Sequence, residues 1–455
     1  MPEHCHSALL TDLYELTMAA AYFDSHFEAE ASFELFVRAL PENRSYLIAA
    51  GLEQALDFLQ SVRFGEHDIE YLRQLPVFRH ISADFFEYLR KFRFTGEVWA
   101  IPEGTPVFSE EPLLRVTAPI IEGQIVETFL LSTLTFQTMI ASKAARVVEA
   151  AQGRAVVEFG TRRAHGPEAG TLAARAAYIG GCTGTSNVEA GQRFGIPVFG
   201  TLAHSFVMAH KDEEESFRSF HQLFPDNTVL LIDTYDTMAA VEKIIEAGLR
   251  PQAVRLDSGN LVDLSRRVRR RLDEAGLRST RIFATSDLDE FVIADMLARG
   301  AQVDSFGVGT SLATSKDAPA LSGVYKLVDV FREHDNGPSY RAKLSGEKMS
   351  YPGCKQVFRR SGADGSYIED VIARCAEAYP EAQALLQRVM RDGRRLAPSP
   401  GLPDIRTRAQ QELARLPQNY RRLVNADSYP VRVSGEVTAL LEEFRSRFAQ
   451  PVDKK

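Results

Sequence analysis

The sequence predicts an α/β protein: an irregular (β/α) barrel plus an α+β domain formed by the N- and C-terminal segments. After residue 126, short apolar strands alternate with amphipathic helices, which is typical of parallel βαβ units. Before it, short strands and helices are mixed, and a tail from about residue 345 is expected to fold back on them. The predicted domains are residues 1–125 completed by 345–455, and residues 126–344. An open doubly wound sheet is the alternative to the barrel.

The first domain begins with a predicted helix. Asp12 and Glu15 have the spacing of a capping box, and an apolar run at 18–23 follows them. The later elements predicted here are strands at 31–37 and 96–101, a helix at 52–62, and turns between 102 and 119, where proline and glycine cluster. In the tail, helices are predicted at 413–416 and 437–448.

The barrel region opens with one long predicted helix at 127–151. The strands predicted after it are residues 155–159, 198–200, 229–233, 253–256, 282–284 and 303–308. Amphipathic helices are predicted between most of them, for example at 238–247 and 262–275. Six such strands in a row over this length favour an irregular (β/α) barrel.

Charge and composition exclude several classes of function. A net charge of -8 provides no overall basic field for nucleic acid or an anionic membrane. We find neither a secretory signal pattern nor the run of ~18–20 apolar residues needed to cross a bilayer, so a cytoplasmic location is expected. The cysteines, Cys5, Cys182, Cys354 and Cys375, form no CxxC pair and are interpreted as reduced structural thiols. His4, Cys5 and His6 are expected to fray rather than bind a metal.

Polar turns follow the predicted barrel strands and carry most of the chemical information. They are residues 160–165, 200–205, 233–237, 255–260, 285–287 and 307–311. In a barrel, the carboxyl ends of all strands lie on one face, which is where active sites form. Together the turns supply arginines, carboxylates, hydroxyls, a histidine and glycines. That set suits a phosphorylated, polyhydroxylated anion.

Two pairs of charged residues stand out, each with a plainer alternative. Arg162 and Arg163 directly follow a strand, and guanidinium groups match phosphate and carboxylate geometry, but they are also compatible with surface ion pairs. Arg255 and Asp257 alternate along a strand, so both can point into the barrel mouth. Asp257 suits a ribose hydroxyl or Mg²⁺. The alternative is an internal ion pair between Arg255 and Asp257.

The last turn and one histidine complete the candidates. Gly307 and Gly309 allow backbone N–H groups to approach a phosphate beside Thr310, although a plain turn is equally compatible. His204 follows a strand end, where a lone histidine is more often structural. Because His210 lies six residues later, off the same helical face, the pair does not predict a zinc site.

Several segments together resemble the nicotinate phosphoribosyltransferases. They are Leu10-Thr-Asp-Leu-Tyr-Glu-Leu-Thr-Met-Ala19, Glu158-Phe-Gly-Thr-Arg-Arg-Ala-His165, Gly200-Thr-Leu-Ala-His-Ser205, Arg255-Leu-Asp-Ser-Gly259, Gly307-Val-Gly-Thr310 and Tyr351-Pro-Gly-Cys-Lys355. They occur in the family's order, between residue 10 and about residue 360. The resemblance implies a type II phosphoribosyltransferase fold and a homodimer with active sites at the subunit interface. It also implies that nicotinate and phosphoribosyl pyrophosphate give nicotinate mononucleotide and pyrophosphate, coupled to ATP hydrolysis with Mg²⁺.

The resemblance also implies roles for individual residues. Tyr14 would stack on the pyridine ring, in its own or the neighbouring subunit, and His204 would be the phosphorylated histidine through which ATP acts. The nicotinate and pyrophosphate region would be lined by Arg162, Arg163 and Thr201. The phosphoribosyl oxygens would meet Arg255, Asp257 and Ser258, and the ribose side would be formed by Ser286 and Asp287. The 5′-phosphate would be held by Gly307, Gly309 and Thr310. Asn260 replaces an acid common in the family. It is interpreted as a helix cap, so no metal ligand is assigned.

Other functions remain as alternatives at this point. Nicotinamide and quinolinate phosphoribosyltransferases are the nearest enzymes. A barrel aldolase would need a Schiff-base lysine, for which Lys326 is the one candidate. A catalytically silent nucleotide sensor is the non-enzyme alternative, but it would not need to retain Arg162, His204 and Asp257 together.

Overall fold

The computed structural model describes residues 7–332, 337–344 and 349–448, so His4, Cys5 and His6 lie outside the described residues. The chain forms two compact units. The first contains Met1–Thr138, Ala320–Gly401 and Gln411–Lys455, and the second contains Met139–Pro319 and Leu402–Gln410. The N- and C-terminal segments therefore build one unit together. The chain passes from one unit to the other between residues 138 and 139 and between residues 319 and 320. The boundaries predicted from the sequence lie between residues 125 and 126 and between residues 344 and 345.

The first unit is an α+β domain around an antiparallel sheet. That sheet has seven strands in the order Ser339–Tyr340, Gly323–Phe331, Glu30–Val37, Pro112–Pro119, Glu97–Ala100, Gln387–Arg391 and Arg394–Arg395. A second sheet has the order Ala382–Ala384, Lys355–Ser361, Tyr367–Arg374 and Val431–Val433, and a small one pairs Leu47–Ile48 with Pro106–Val107. The strand from the tail, Gln387–Arg391, pairs with Glu97–Ala100, as expected of a tail that folds back.

Helices cover the sheets of this unit. They are Leu13–Asp24, Leu52–Ser61, Glu66–Gln74, Ala83–Lys91, Ile120–Ile125, Gln418–Arg421 and Gly435–Phe448, with a 3-10 turn at Pro76–Phe78. Two further helices, Glu127–Ala150 and Leu402–Arg415, contain the points where the chain passes between units. The predicted helix at 413–416 is thus only the end of a helix that begins at residue 402. No helix of the described residues is long and apolar enough to cross a membrane.

The predicted capping box at Asp12 and Glu15 is wrong. The Asp12 side chain makes no capping hydrogen bond to its helix. The buried Glu15 carboxylate instead accepts the backbone N–H of Thr128, at 3.1 Å, and so caps the start of the helix Glu127–Ala150. Burial raises the pKa of Glu15 to about 7. The short-range capping box does not form because the Glu15 side chain bonds instead to Thr128, which lies far along the chain.

The second unit is a barrel of parallel strands that is open on one side. The strands are Ala155–Glu158, Gly184–Thr185, Val229–Leu231, Ala253–Leu256, Arg281–Ala284 and Ser305–Val308. All their pairings are parallel, and the first strand in the chain pairs with the last, which a flat sheet in chain order would not allow. A single bridge joins Thr185 to Val198. Among the described residues, no ladder joins that segment to Val229–Leu231, so the ring stays open there.

Two predictions for these strands are wrong in detail. The segment 198–200 forms one bridge at Val198 rather than a strand. The strand Gly184–Thr185 was missed because two small residues carry no apolar alternation, and its identity comes only from pairing beside Ala155–Glu158.

Helices follow most of the strands, and five of the eight begin at a side-chain cap. They are Pro167–Ile179, Val188–Phe194, His204–Ala209, Glu213–Leu223, Thr237–Glu246, Leu261–Glu274, Glu290–Ala298 and Thr310–Ala313. Asp236, Asn260 and Asp289 each accept backbone N–H groups at the start of the next helix. The interpretation of Asn260 as a helix cap is therefore confirmed.

A buried ion cluster holds two helices of the second unit together. Glu290, which is fully buried, lies 2.5 Å from the Nζ atom of Lys143 and 3.0 Å from the Nε atom of Arg146. We expect Glu290→Ala to destabilise the protein by about 3–5 kcal/mol, because it leaves two buried cations without their shared carboxylate. The midpoint of urea unfolding measures this.

Asp295→Ala provides the matched control on the same helix. Asp295 pairs with Arg299, and both side chains are more than half exposed, so its loss should cost less than ~1 kcal/mol. Equal midpoints for the two variants would contradict the assignment of Glu290 as a buried anchor.

Candidate active site

The carboxyl ends of four barrel strands surround a cavity of about 490 Å³. Its lining residues are Phe159, Arg162, Arg163, Arg255, Asp257, Thr285, Ser286, Asp287, Gly307, Gly309 and Thr310. Most of the site residues singled out in the sequence are in this set. Four of the six polar turns thus line one cavity at this end of the barrel, and the cavity is polar with three guanidinium groups.

Arg255 is the hub of the hydrogen bonds in this cavity. Its Nε atom donates to Thr285 Oγ1 at 2.8 Å, and its two terminal nitrogens donate to Thr201 Oγ1 at 2.9 Å and Asp257 Oδ1 at 2.8 Å. Thr285 in turn donates to Asp257. The internal Arg255–Asp257 ion pair therefore exists, and both residues also line the cavity. These bonds to Thr201, Asp257 and Thr285 fix the guanidinium plane, so it is oriented before any ligand arrives.

Asp233 connects this group to His204 and was missed as a site residue. Its Oδ2 atom accepts from the backbone N–H of Asp257 at 2.8 Å and from Ser258 Oγ at 2.6 Å. Its Oδ1 atom is buried, lies 3.4 Å from His204 Nε2, and has no hydrogen-bond partner among the described residues. The Asp233 side chain is 3% exposed, whereas that of His204 is 41% exposed. A buried carboxylate thus faces one nitrogen of an accessible imidazole.

Arg162 and Arg163 lie in the 3-10 turn Thr161–Arg163, directly after the first barrel strand. Both are exposed and border the cavity, and neither forms an ion pair with any residue the structure describes. The alternative of surface ion pairs is therefore not what the structure contains. The Glu158 side chain is fully buried beside this turn. Its carboxylate accepts hydrogen bonds from Thr185 Oγ1 at 2.6 Å and from the backbone N–H of Gly160, and these hold the start of the turn in place. Burial raises the pKa of the Glu158 carboxyl.

Two backbone features shape the part of the cavity wall formed by the strands Arg281–Ala284 and Ser305–Val308. Ser286 has a φ of 122°, a region that side chains rarely adopt, and this strain turns its backbone at the cavity edge. Gly307 lies among Phe159, Phe283 and Thr285, and the rings of Phe159 and Phe283 pack edge to face with centroids 5.5 Å apart. Phe159 and Thr285 were not predicted as site residues, although both stand at predicted strand ends.

We expect Gly307→Ala to lower activity by about 10²-fold, since small misplacements of catalytic groups are costly. An added Cβ would lie 2.7 Å from Thr285 Cγ2 and 2.8 Å from Phe283 Cζ, so Thr285 must shift and disturb its bonds to Arg255 and Asp257. Steady-state kinetics of the two glycine variants measure the effect. Gly200→Ala is the control, because its Cβ meets nothing within 4 Å. Similar loss in both variants would contradict a local packing cause.

Family models match most of the chain. The nicotinate phosphoribosyltransferase N-terminal domain matches residues 9–135, and the nicotinate phosphoribosyltransferase C-terminal domain matches residues 376–441. The C-terminal domain of quinolinate phosphoribosyl transferase matches residues 140–319. The chain is 47% identical over 446 residues to nicotinate phosphoribosyltransferase pncB2 of Mycobacterium tuberculosis, covering 96% of this chain and 94% of that one. The chain belongs to the nicotinate phosphoribosyltransferase family.

Other members of the nicotinate phosphoribosyltransferase family are also similar to this chain over nearly its whole length. The Bacillus subtilis enzyme is 37% identical over 483 residues, with 98% of each chain covered. The crystal structure of human nicotinic acid phosphoribosyltransferase superposes with a TM-score of 0.84 at 30% identity, covering 95% of this chain and 99% of that one. The irregular barrel with its α+β domain is thus the fold of this family.

Two predicted features lie in the first unit rather than at the barrel mouth. Tyr14 lies on the helix Leu13–Asp24 with its side chain about half exposed, and burial together with the Glu127 carboxylate raises the pKa of its phenol. The aldolase candidate Lys326 lies in the strand Gly323–Phe331, opposite Glu34, and is not among the cavity's lining residues. No lysine that could form a Schiff base lies among the cavity-lining residues described, and family membership excludes the aldolase hypothesis.

Proposed function

We propose that this chain transfers the phosphoribosyl group of phosphoribosyl pyrophosphate to nicotinate, giving nicotinate mononucleotide and pyrophosphate. The observation that carries the proposal is the cavity itself, in which Arg162, Arg163 and Arg255 surround a pocket also lined by Asp257 and Asp287. Guanidinium groups suit phosphates and a carboxylate, and the acidic and hydroxyl side chains suit ribose. Membership in the family, whose relatives carry the name of this reaction, supports the same assignment.

The reaction requires stabilisation of developing charge more than it requires proton transfer. The pyridine nitrogen forms a bond to C1 of the ribose while the C1–oxygen bond to pyrophosphate breaks. The leaving group takes the electron pair, so negative charge grows on it and positive charge grows on the sugar. The arginines stabilise the former. The nitrogen is already a nucleophile, so no strong general base is required. We assign Ser286 and Asp287 to the ribose, and Gly307, Gly309 and Thr310 to the 5′-phosphate.

Preference for nicotinate over nicotinamide follows from the same charges. The nicotinate carboxylate is an anion, whereas the amide is neutral. Arg162 and Arg163 are exposed at the cavity and have no carboxylate partner among the described residues, so either can bind the substrate carboxylate without first breaking an ion pair. Thr201, held by Arg255, lies beside this region.

ATP hydrolysis is proposed to act through His204. Asp233 Oδ1 faces Nε2 of the imidazole at 3.4 Å, and a carboxylate there favours the proton on Nε2. Nδ1 then carries the lone pair. In the proposed step, Nδ1 attacks the γ-phosphorus of ATP, the bond to the β-phosphate oxygen breaks, and ADP leaves. The phosphohistidine later reacts with water. The exposed position of His204 supports access for a nucleotide.

Mg²⁺ is proposed to enter with the phosphates. No group of three or more His, Cys, Asp and Glu side chains in the described part of the chain is arranged to hold an ion alone. Mg²⁺ bound to phosphates needs only one or two protein carboxylates, and Asp257 and Asp287 both line the cavity. These two residues would hold the ion, which would supply positive charge to the leaving pyrophosphate.

A homodimer is proposed as the working assembly. Val198, Phe199 and Met208, next to the open side of the barrel, are apolar and between 45% and 63% exposed, which supports a covering partner. Tyr14 is proposed to stack on the pyridine ring, from its own or the neighbouring subunit. Light scattering of the purified chain tests the assembly. The cytoplasmic location stays a prediction.

The direct test is turnover. The purified chain is incubated with phosphoribosyl pyrophosphate, Mg²⁺ and either nicotinate or nicotinamide, with and without ATP, and the mononucleotide formed is measured. We expect nicotinate mononucleotide preferentially, with a higher rate when ATP is present. Absence of product from both pyridines would overturn the proposal and return the silent nucleotide sensor as the better reading.

A further inference from the structure

The second sheet of the first unit brings two cysteines together that lie far apart in the sequence. Lys355 pairs with Arg374 across antiparallel strands, so Cys354 lies opposite Cys375 at the end of the ladder. The backbone N–H of Cys375 donates to the carbonyl of Cys354 at 3.1 Å. Directly opposed residues have Cα atoms about 5.5 Å apart and side chains on one face. That separation falls within the window of roughly 4.4–6.8 Å in which disulfides form.

The surroundings of the two sulfurs differ in a way that separates their roles. Arg115 donates from its guanidinium to Cys375 Sγ at 2.6 Å, and Cys375 is exposed. Cys354 is half-buried, and its thiol donates to Asp329 Oδ2 at 3.1 Å. An adjacent cation stabilises a thiolate, and an adjacent carboxylate stabilises a protonated thiol. Both cysteines are free rather than bonded in this structure.

The charges facing the pair come from four strands. Arg115 and Lys355 are cationic, while Glu34 and Asp329 are anionic; Lys355 forms a buried ion pair with Glu34 at 2.8 Å. The neighbouring Cys354 sulfur and the charge of Arg115 lower the pKa of the Cys375 thiol, whereas the neighbouring Cys375 sulfur, burial and Asp329 raise the pKa of Cys354. The exposed Cys375 sulfur is therefore the better nucleophile of the two, and Cys354 holds its proton more strongly.

We propose that Cys375 and Cys354 form a redox modification site, with Cys375 attacking a small hydroperoxide and Cys354 resolving the product to a disulfide. The Cys375 thiolate takes the distal oxygen of the hydroperoxide, the O–O bond breaks, and the alkoxide or hydroxide leaves and is protonated by water. The Cys354 sulfur then attacks the sulfenic sulfur. Its proton leaves with the hydroxyl as water, and two electrons in all pass from the thiols to the peroxide. A dithiol reverses the modification by exchange.

The test uses the full chain carrying Cys5→Ser, because Cys5 lies outside the described residues. Hydrogen peroxide is titrated, and intact mass, thiol count and linked peptides are followed. We expect a mass loss of two hydrogens, a cross-link between the peptides of Cys354 and Cys375, and full reversal by dithiothreitol. Cys182→Ser is the matched control and should behave like its parent, since Cys182 is fully buried.

Single variants separate the two roles. In Cys354→Ser, dimedone should trap a sulfenic acid on Cys375; in Cys375→Ser, neither the trapped adduct nor the cross-link should form. Arg115→Met should slow alkylation of Cys375 by iodoacetamide at pH 7 about tenfold, because less thiolate is present. No cross-link in the parent, or no dimedone adduct in Cys354→Ser, would overturn the proposal. The readouts are chemical, so they stand whether or not the chain turns over nicotinate.

Discussion

Replacing Arg255 with alanine is expected to lower kcat/KM for phosphoribosyl transfer about 10²–10³-fold, the usual loss when a preorganised charge-stabilising donor is removed. Arg255 is largely buried and is fixed by hydrogen bonds to Thr201, Asp257 and Thr285. Its loss removes a cation from the cavity. It also leaves Asp257 as a carboxylate without its ion-pair partner, which repels the developing pyrophosphate.

Steady-state kinetics with nicotinate and phosphoribosyl pyrophosphate measure this effect. Arg255→Lys retains the charge but cannot make all three oriented bonds, so it should recover only part of the activity. Arg299→Ala is the control: Arg299 is more than half exposed and pairs only with Asp295 among the ion pairs described. An Arg255→Ala enzyme with parental kcat/KM would show that the internal ion pair is merely structural.

His204→Ala is expected to abolish the stimulation by ATP completely while leaving a slower, ATP-independent formation of nicotinate mononucleotide. The reason is that the proposed phosphoryl acceptor, Nδ1, is gone, whereas the arginines and hydroxyls of the cavity are untouched. Incubation with γ-phosphate-labelled ATP should give acid-labile label on the parent protein and none on the variant. Turnover with and without ATP supplies the second measurement.

Two further variants sharpen this experiment. Asp233→Asn removes the carboxylate that faces Nε2 at 3.4 Å and should reduce labelling strongly while His204 remains. His210→Ala is the matched control, since His210 Nδ1 is 2.8 Å from the carbonyl of Phe206 and no contact joins its side chain to Asp233 in the described structure. Persistent ATP stimulation or labelling in His204→Ala would contradict the phosphohistidine.

Much of the candidate site was predictable from the sequence because strand ends in a barrel converge. The polar turns after short apolar strands placed Arg162, Arg255 and Gly307 on one face, and the structure brings them to one cavity. Asp233 and Thr285 were not singled out, although both follow strands. Their roles depend on which neighbour each side chain meets, and a one-dimensional pattern does not contain that information.

The sequence by itself determined the periodic elements, the polar turns and the family, because these depend on residues adjacent in the chain or in a fixed motif order. Only the tertiary structure decided which distant groups meet. Glu15 caps a helix far along the chain instead of its own, and Gly184–Thr185 is a strand only through its pairing. Asp233 faces His204 although no ladder joins their segments in the described structure, and Cys354 meets Cys375 through the antiparallel register of their strands. Register is set by the packing of whole elements, so no local pattern encodes these contacts.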